Sequence, residues 1–362
     1  MQDISADSPD DRGLVRHSPK GTVPGAPLSV GEVLDRPCCR HPDQVALVGR
    51  SERYTYAQLD AKANRAANAL ARLGIGPGDR VAASLPNHPD IVIAFLGAMR
   101  LGAIWVGLNR ALAPPEMAVL LDDSGASVLL TDRPEAPDSW SGRVVTAPGD
   151  GAGEWGQLLT AAGSHRPTVE VDPLAPAAIA YTSGTTGQPK GVVHSQHNLV
   201  TVGAVNRVHG GWRAVPCQGA VLALTILNLM VLAPLLVFQL DGTCVCLERH
   251  DPETIARWVS SEGVQSFSAV PTIVYDLVSS PEVTPDDLGS LGTIGAGGMP
   301  LSAELRARYK QRFGKDVLPS YGLTEAPTAV TSTDPRFPLP TGTRGRALPH
   351  VVVTILDAQG RV

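Results

Sequence analysis

Along this chain two spacings of apolar residues take turns. Short apolar runs bounded by Gly, Pro or polar residues predict strands at Gln44–Gly49, from Gly78-Asp79-Arg80-Val81, and at Ile104–Val106, Ser127–Thr131 and Ala177–Ala180. Further runs predict strands at Val221–Thr225, Thr243–Leu247, Gln265–Ala269, Leu291–Gly295 and Val317–Tyr321. Between them the apolar spacing lengthens to that of a helix. Leu59, Ala63, Ala66, Ala67 and Leu70 fall on one helical face, with Thr55 as N-cap and Gly74 as stop. Other helices are expected from Leu28 to Leu34, His88 to Leu101, Glu116 to Ser124, Trp155 to Ala161, in the segment to Val208, and at Pro271–Ser279. One starts at an Asp251 cap with Pro252 at N1; another runs from a Ser302 cap to Gly314. Residues 133–176, rich in Pro, Gly, Ser and Ala, read as an irregular connection around the Trp155 helix. Strands alternating with helices predict an α/β fold of parallel sheets with helices on both faces.

The uncharged run from Ala214 to Leu240 is long enough to span a bilayer, so hydropathy alone leaves a membrane helix open. Asn228, Pro234 and Gln239 interrupt it, and neither end carries a Lys/Arg cluster. It reads instead as core: a strand, a break at Asn228, and a buried helix from about Leu229 to Leu240.

Composition narrows the function classes. The 362 residues are 43% hydrophobic and 18% charged, enough for a large core or two to three packed units. A net charge of −5 and 4% aromatics give neither the basic field nor the stacking surface of a nucleic-acid binder. The five cysteines form no CxxC pair and read as reduced thiols of a cytoplasmic protein. The N-terminal stretch, M-Q-D-I-S-A-D-S-P-D-D, is acidic and lacks an apolar core; it reads as a flexible lead to about Pro27 rather than a signal peptide.

Three stretches carry chemistry. Tyr181 to Ser195 reads Y-T-S-G-T-T-G-Q-P-K-G-V-V-H-S. It groups the hydroxyls of Thr182, Ser183, Thr185 and Thr186 with Gly184, Gly187, Gly191 and Lys190, the donors and point charge of a polyphosphate cradle. It is not a Walker A loop: counted from Gly184, Pro189 stands where the second glycine belongs and Gly191 where the Ser/Thr belongs. The second, Ala296-Gly297-Gly298-Met299-Pro300-Leu301, lies at a strand-to-helix turn, where open α/β sheets bind ligands. The third, Tyr321-Gly322-Leu323-Thr324-Glu325, offers an aromatic face for a base, a hydroxyl, and a carboxylate able to hold Mg²⁺ near phosphate. Taken singly, each also has a plain reading: a Gly/Thr turn, an ordinary βα turn, a buried Tyr with a surface Glu.

The motif T-S-G-T-T-G-x-P-K-G resembles the phosphate-binding loop of the adenylate-forming superfamily, which holds acyl-CoA synthetases, luciferases and peptide-synthetase adenylation domains. Y-T-Y-A-Q-L-D, G-P-G-D-R-V-A, S-A-V-P-T-I and G-K-D-V-L-P-S-Y-G-L-T-E-A extend the resemblance, in the expected order, over Leu28 to Val362. It implies the stacked-sheet N-terminal domain of an acyl-CoA synthetase: a lead at 1–27, α/β subdomains at 28–176 and 177–330, and the start of a small β-barrel subdomain at 331–362. The implied reaction is AMP-forming carboxylate–CoA ligation, in which a carboxylate attacks the α-phosphorus of Mg·ATP and CoA then takes the acyl group. A carrier-protein phosphopantetheine or an amine remain alternative acceptors, and binding without turnover an alternative function. A homodimer is a candidate assembly.

The resemblance assigns Thr182, Lys190, Thr324 and Glu325 to catalysis, Glu325 as the metal ligand. It assigns the nucleotide to Thr182, Ser183, Gly184, Thr185, Thr186, Gly187, Lys190, Gly297, Gly298, Met299, Pro300, Tyr321, Gly322 and Thr324. Asn228, Met230, Val270, Tyr275, Ala296, Met299 and Pro327 would form the substrate pocket. Ala296 stands for the family's usual Ser, and Met299 for a smaller residue. Asn228 replaces the histidine of many acyl-CoA synthetases and the aspartate with which peptide-synthetase domains hold an α-amino group. An uncharged aliphatic or aryl acid is therefore expected. Gln196 stands where many relatives carry His; His197, one place later, is assigned no role, and His194 has an equal claim to being a satisfied loop residue. The ribose-binding T-G-D motif and the mobile C-terminal domain's lysine have no counterpart, so the chain is expected to be a portion of a longer enzyme. Lys190 is not assigned that lysine's role.

Overall fold

The computed structural model describes residues 26–133, 137–149, 151–182, 189–209, 216–326, 329–333, 340, 342–359 and 361. Helix α1 (Asp35–Arg40) precedes a hairpin of β1 (Val45–Val48) and β2 (Arg53–Thr55), then α2 (Tyr56–Arg72). There follow β3 (Arg80–Ser84), α3 (Pro89–Arg100), β4 (Ile104–Gly107), α4 (Pro114–Ser124), β5 (Val128–Thr131), β6 (Arg143–Thr146) and α5 (Gly153–Ala161). A second hairpin, β7 (Pro176–Thr182) and β8 (Lys190–Ser195), runs straight into α6 (Gln196–His209). Beyond it lie β9 (Cys217–Ala220), α7 (Leu227–Met230), α8 (Leu236–Gln239), β10 (Thr243–Cys246) and α9 (Pro252–Glu262). The last elements are β11 (Ser266–Ala269), α10 (Pro271–Ser279), β12 (Thr293–Ala296), α11 (Ala303–Phe313), β13 (Val317–Pro319), β14 (Thr331–Ser332) and β15 (Arg346–Ala347).

The strands build two large sheets, in the orders β6-β5-β3-β4-β7-β8 and β13-β12-β11-β9-β10-β1-β2. All neighbours pair parallel except the two hairpins. One apolar cluster joins residues of both sheets (Val81, Trp105 and Ala178; Leu47, Cys244 and Ala220) through α2, α3 and α6, so those helices lie between the sheets. A second cluster packs α9, α10 and α11 on the outer face of the larger sheet, and a third packs α4 on the other. This is the expected α/β architecture. The Thr55 cap is also present: its hydroxyl accepts from Gln58 N while Gln58 Oε1 accepts from Thr55 N.

Three local expectations differ. The strand placed at Val221–Thr225 lies earlier, at Cys217–Ala220, because the side chain of Asn87 takes over the backbone groups that follow it. The helix expected from Leu229 is α7 and α8 joined by a π turn, Val231–Leu235, which contains Pro234. Proline has no N–H for the usual ladder, and in the widened turn Gln218 Nε2 donates to the Leu232 carbonyl at 2.6 Å. Strand β6 emerges from the stretch read as irregular, as an edge strand beside β5. At the C-terminal end β14 and β15 pair antiparallel, and among the described residues no barrel is closed. Among the same residues, no helix is long and apolar enough to cross a membrane.

Candidate functional site

In the larger sheet the chain steps from β9 to β10 on one side, then returns to place β11 on the other side of β9. Such a reversal opens a crevice at the carboxyl ends of the diverging strands. The loop 221–226 leaves β9 at that point, Val270 leaves β11, and Gly297 leaves β12. Asn87, in the turn after β3 of the other sheet, holds this loop. Its Nδ2 donates to the carbonyls of Ala220 (3.0 Å) and Leu222 (2.9 Å), and its Oδ1 accepts from Leu224 N (2.9 Å). Gly107, the last residue of β4, faces the same loop so closely that a Cβ there would sit 2.0 Å from the Thr225 carbonyl oxygen. The carboxyl ends of both sheets therefore converge on one loop.

The phosphate-loop motif sits on the β7–β8 hairpin at the edge of the smaller sheet. Six register pairs fix it, the last of them Thr182 with Lys190, and Thr182 Oγ1 donates to the Lys190 carbonyl at 3.5 Å. Tyr181 OH, one residue earlier, donates to Asp123 Oδ2 at 2.5 Å. Ser183, Gly184, Thr185, Thr186 and Gly187 lie outside the described residues, as does Pro327. The hairpin brings the two ends of the loop together, with Lys190 exposed.

From the other sheet, β13 delivers Ser320 and Tyr321. Ser320 N donates to the Ala296 carbonyl at 2.9 Å, so the Tyr321 segment and the Ala296–Pro300 turn lie side by side. Gly298 has φ of +78°, which favours glycine, and Gly297 packs against Ser320. Ala296 is buried, whereas Met299 is 62% exposed and Pro300 also faces outward. Tyr321 bridges to Thr331 and presents a ring 44% exposed.

His194 joins the two sheets here. It is 2% exposed on β8, and its Nε2 lies 2.7 Å from the Thr324 carbonyl. Its Nδ1 lies 2.7 Å from Asn198 Nδ2, a donor. The pair of contacts is satisfied by one neutral tautomer, with Nδ1 accepting and Nε2–H donating. Burial holds its pKa below the ordinary value, against the opposite pull of the Thr324 carbonyl and the Glu325 charge. The neighbouring expectations resolve differently. Gln196 is buried and satisfied, accepting from Gly31 N and donating to the Met99 carbonyl. His197 bonds through Nδ1 to the Leu28 carbonyl, a packing role.

Among the described residues, the Lys190 ammonium and the Glu325 carboxylate have no hydrogen-bond or ion-pair partner, and both are exposed. Described residues hold no cluster of three or more metal-ligating side chains. Among the described residues, Asn228 Oδ1 and Thr225 Oγ1 are buried with no hydrogen-bond partner. Met230 is wholly buried, and Val270 caps α10. Tyr275 is 52% exposed on α10, with the Arg308 guanidinium 6.0 Å from its ring centre.

Asn87, Thr225 and His194's tether were missed in the sequence. Asn87 follows Pro86 just ahead of α3, and its partners are remote in the chain.

A family model described as AMP-binding enzyme matches residues 34–362. The long-chain-fatty-acid–CoA ligase FadD13 of Mycobacterium tuberculosis is 31% identical over 283 residues, 76% of this chain and 55% of that protein. A feruloyl-CoA synthase of Amycolatopsis is 35% identical over 286 residues, 77% of this chain and 56% of the relative. The chain thus spans about half the length of these curated relatives. The crystal structure of ATP-bound MatB from Rhodopseudomonas palustris superposes with a TM-score of 0.82 at 26% identity, covering 91% of this chain and 67% of that one.

Proposed function

The chain belongs to the AMP-binding enzyme family, and on that premise we propose that it forms the adenylating part of an AMP-forming carboxylate–CoA ligase. In this reading a carboxylate oxygen attacks the α-phosphorus of ATP, and the α–β bridging bond breaks to release pyrophosphate. Thr182, Lys190 and the loop between them hold the β- and γ-phosphates. Thr324 contacts the α-phosphate side and Tyr321 stacks on adenine beside Gly297, Gly298 and Gly322. Glu325 holds Mg²⁺, which supplies charge neutralisation of the phosphates when bound. The chain's own contribution is positioning and preorganised charge.

One observation carries the reading: a cation on the hairpin and a carboxylate on the Tyr321 segment, neither with a hydrogen-bond or ion-pair partner among the described residues, occupy two stretches that His194 ties together. Opposite charges left unmatched on neighbouring segments suit a ligand bearing both anionic phosphate and a cation. The ATP bound to the MatB neighbour supports the same ligand. The crevice around Leu224, Asn228, Val270 and Ala296 offers no charged side chain among these residues, which suits an uncharged aliphatic or aryl acid. The names of the fatty-acid and feruloyl relatives span both classes and point to CoA as acceptor. Pyrophosphate release from Mg·ATP with a panel of carboxylic acids tests this. The reading expects release that depends on an uncharged acid; a preference for amino acids or for charged acids would sink the substrate class.

A further inference from the structure

We infer that His194 is a positioning residue for nucleotide: its Nε2–H bond to the Thr324 carbonyl sets the Thr324–Glu325 turn against the phosphate hairpin. This rests on the reading of the site as a Mg·ATP site. Among the described residues, His194 is the side chain that hydrogen-bonds to this turn. Upstream, Tyr321 is anchored by its backbone pairing to Val330 and Thr331, and residues 324–326 form a turn of their own. Thr324 and Glu325 have no other hydrogen bond among the described residues beyond the one from His194. His194, by contrast, is rigidly placed. It lies in the β7–β8 ladder opposite Ala178, is almost wholly buried, and is oriented at its second nitrogen by Asn198, one turn into α6. The hairpin that carries Lys190 therefore also dictates where the Thr324 carbonyl stands. One imidazole sets the distance between the cationic and the anionic half of the site.

The geometry also says which substitute can serve. The side-chain nitrogen of Gln extends about as far from the backbone as a histidine Nε2, so Gln can donate to the Thr324 carbonyl. Leu fills similar volume but leaves that carbonyl and the Asn198 amide unpaired.

The test compares Mg·ATP and adenosine binding by calorimetry for the 362-residue chain, His194→Gln and His194→Leu, with a melting curve for each. Adenosine keeps the base and ribose but has no phosphate to reach Lys190 or Glu325. The expected result is about a tenfold loss of Mg·ATP affinity in His194→Leu, the value of one buried hydrogen bond, with adenosine affinity unchanged. His194→Gln should recover most of it. Equal Mg·ATP affinity in all three chains would overturn the inference. So would parallel losses of both ligands and of melting temperature, since that is a purely structural role. A wild-type chain that binds neither ligand would instead overturn the reading of the site, and the inference with it.

Discussion

The two halves of the candidate site are built by different means. The hairpin carrying Thr182 and Lys190 is held by a ladder of six register pairs, so its shape depends on backbone. Among the described residues, the Tyr321–Glu325 segment has a β-bridge at its start, a turn at residues 324–326 and one side-chain hydrogen bond, from His194. Its shape depends on single side chains. A ladder tolerates substitution because no one side chain makes it, whereas a segment held at two points is only as well placed as those points. The difference teaches where mutations should act on geometry and where they should act only on charge.

The largest expected effect lies on the weakly held half. Glu325→Gln keeps the size of the side chain but removes its charge, and pyrophosphate release at saturating acid should fall by roughly a hundredfold. Because Glu325 is exposed and makes no hydrogen bond or ion pair among the described residues, the melting temperature should stay put. A fall in melting temperature would break the contrast by showing that the carboxylate helps hold the segment.

Asn87→Ala comes next. It strips a bracket from the crevice loop and should cost about 2 kcal/mol or more in denaturant unfolding, since buried backbone groups lose their partner. It sharpens the comparison because the hydrogen bonds of Asn87 reach neither half of the candidate site. Acid affinity should weaken while Mg·ATP affinity changes little.

On the ladder-built half, Lys190→Ala should lower Mg·ATP affinity about tenfold through lost charge alone. Amide exchange protection of Ala180 and Val192, paired in the ladder, should be unchanged. Loosened exchange there would show that the hairpin, too, depends on a side chain.

The smallest effect is at the joint beside Asn87. Burial pulls the pKa of His88 down, but the hydrogen bond and charge of Asp90 and the charge of Glu52 outweigh it, leaving the value above the ordinary 6.5. A raised value in the folded state means the charged imidazole stabilises fully below the unfolded pKa, and that stabilisation fades as pH rises through the folded one. The melting temperature should therefore fall slightly between about pH 6 and pH 8, and His88→Gln should flatten that slope.

The sequence made the ladder half legible and left the other half's supports hidden, for one reason. The apolar run Ala177–Ala180 and the Gly/Thr/Lys run are local, and so were the α2 cap and the Asp251 and Ser302 caps, each closed within three residues. Thr324, which His194 reaches across the site, and the partners of Asn87 lie 130 or more residues away, and no local spacing encodes them. For the same reason β9 was displaced: its end is set by Asn87 rather than by its own residues. Strand β6 stayed hidden because an edge strand needs only one partner and a short apolar pair, Val144-Val145, amid turn residues. Pro234 did announce an interruption, but whether it becomes a break or a π turn depends on Gln218, which lies on a strand.

The central claim is that a cation and a carboxylate from two sheets act on one ligand. Calorimetric titration of Mg·ATP into the chain, into Lys190→Ala and into Glu325→Gln tests it most directly. The account predicts one nucleotide per chain, bound markedly more weakly by each variant. Binding that neither substitution weakens would contradict it.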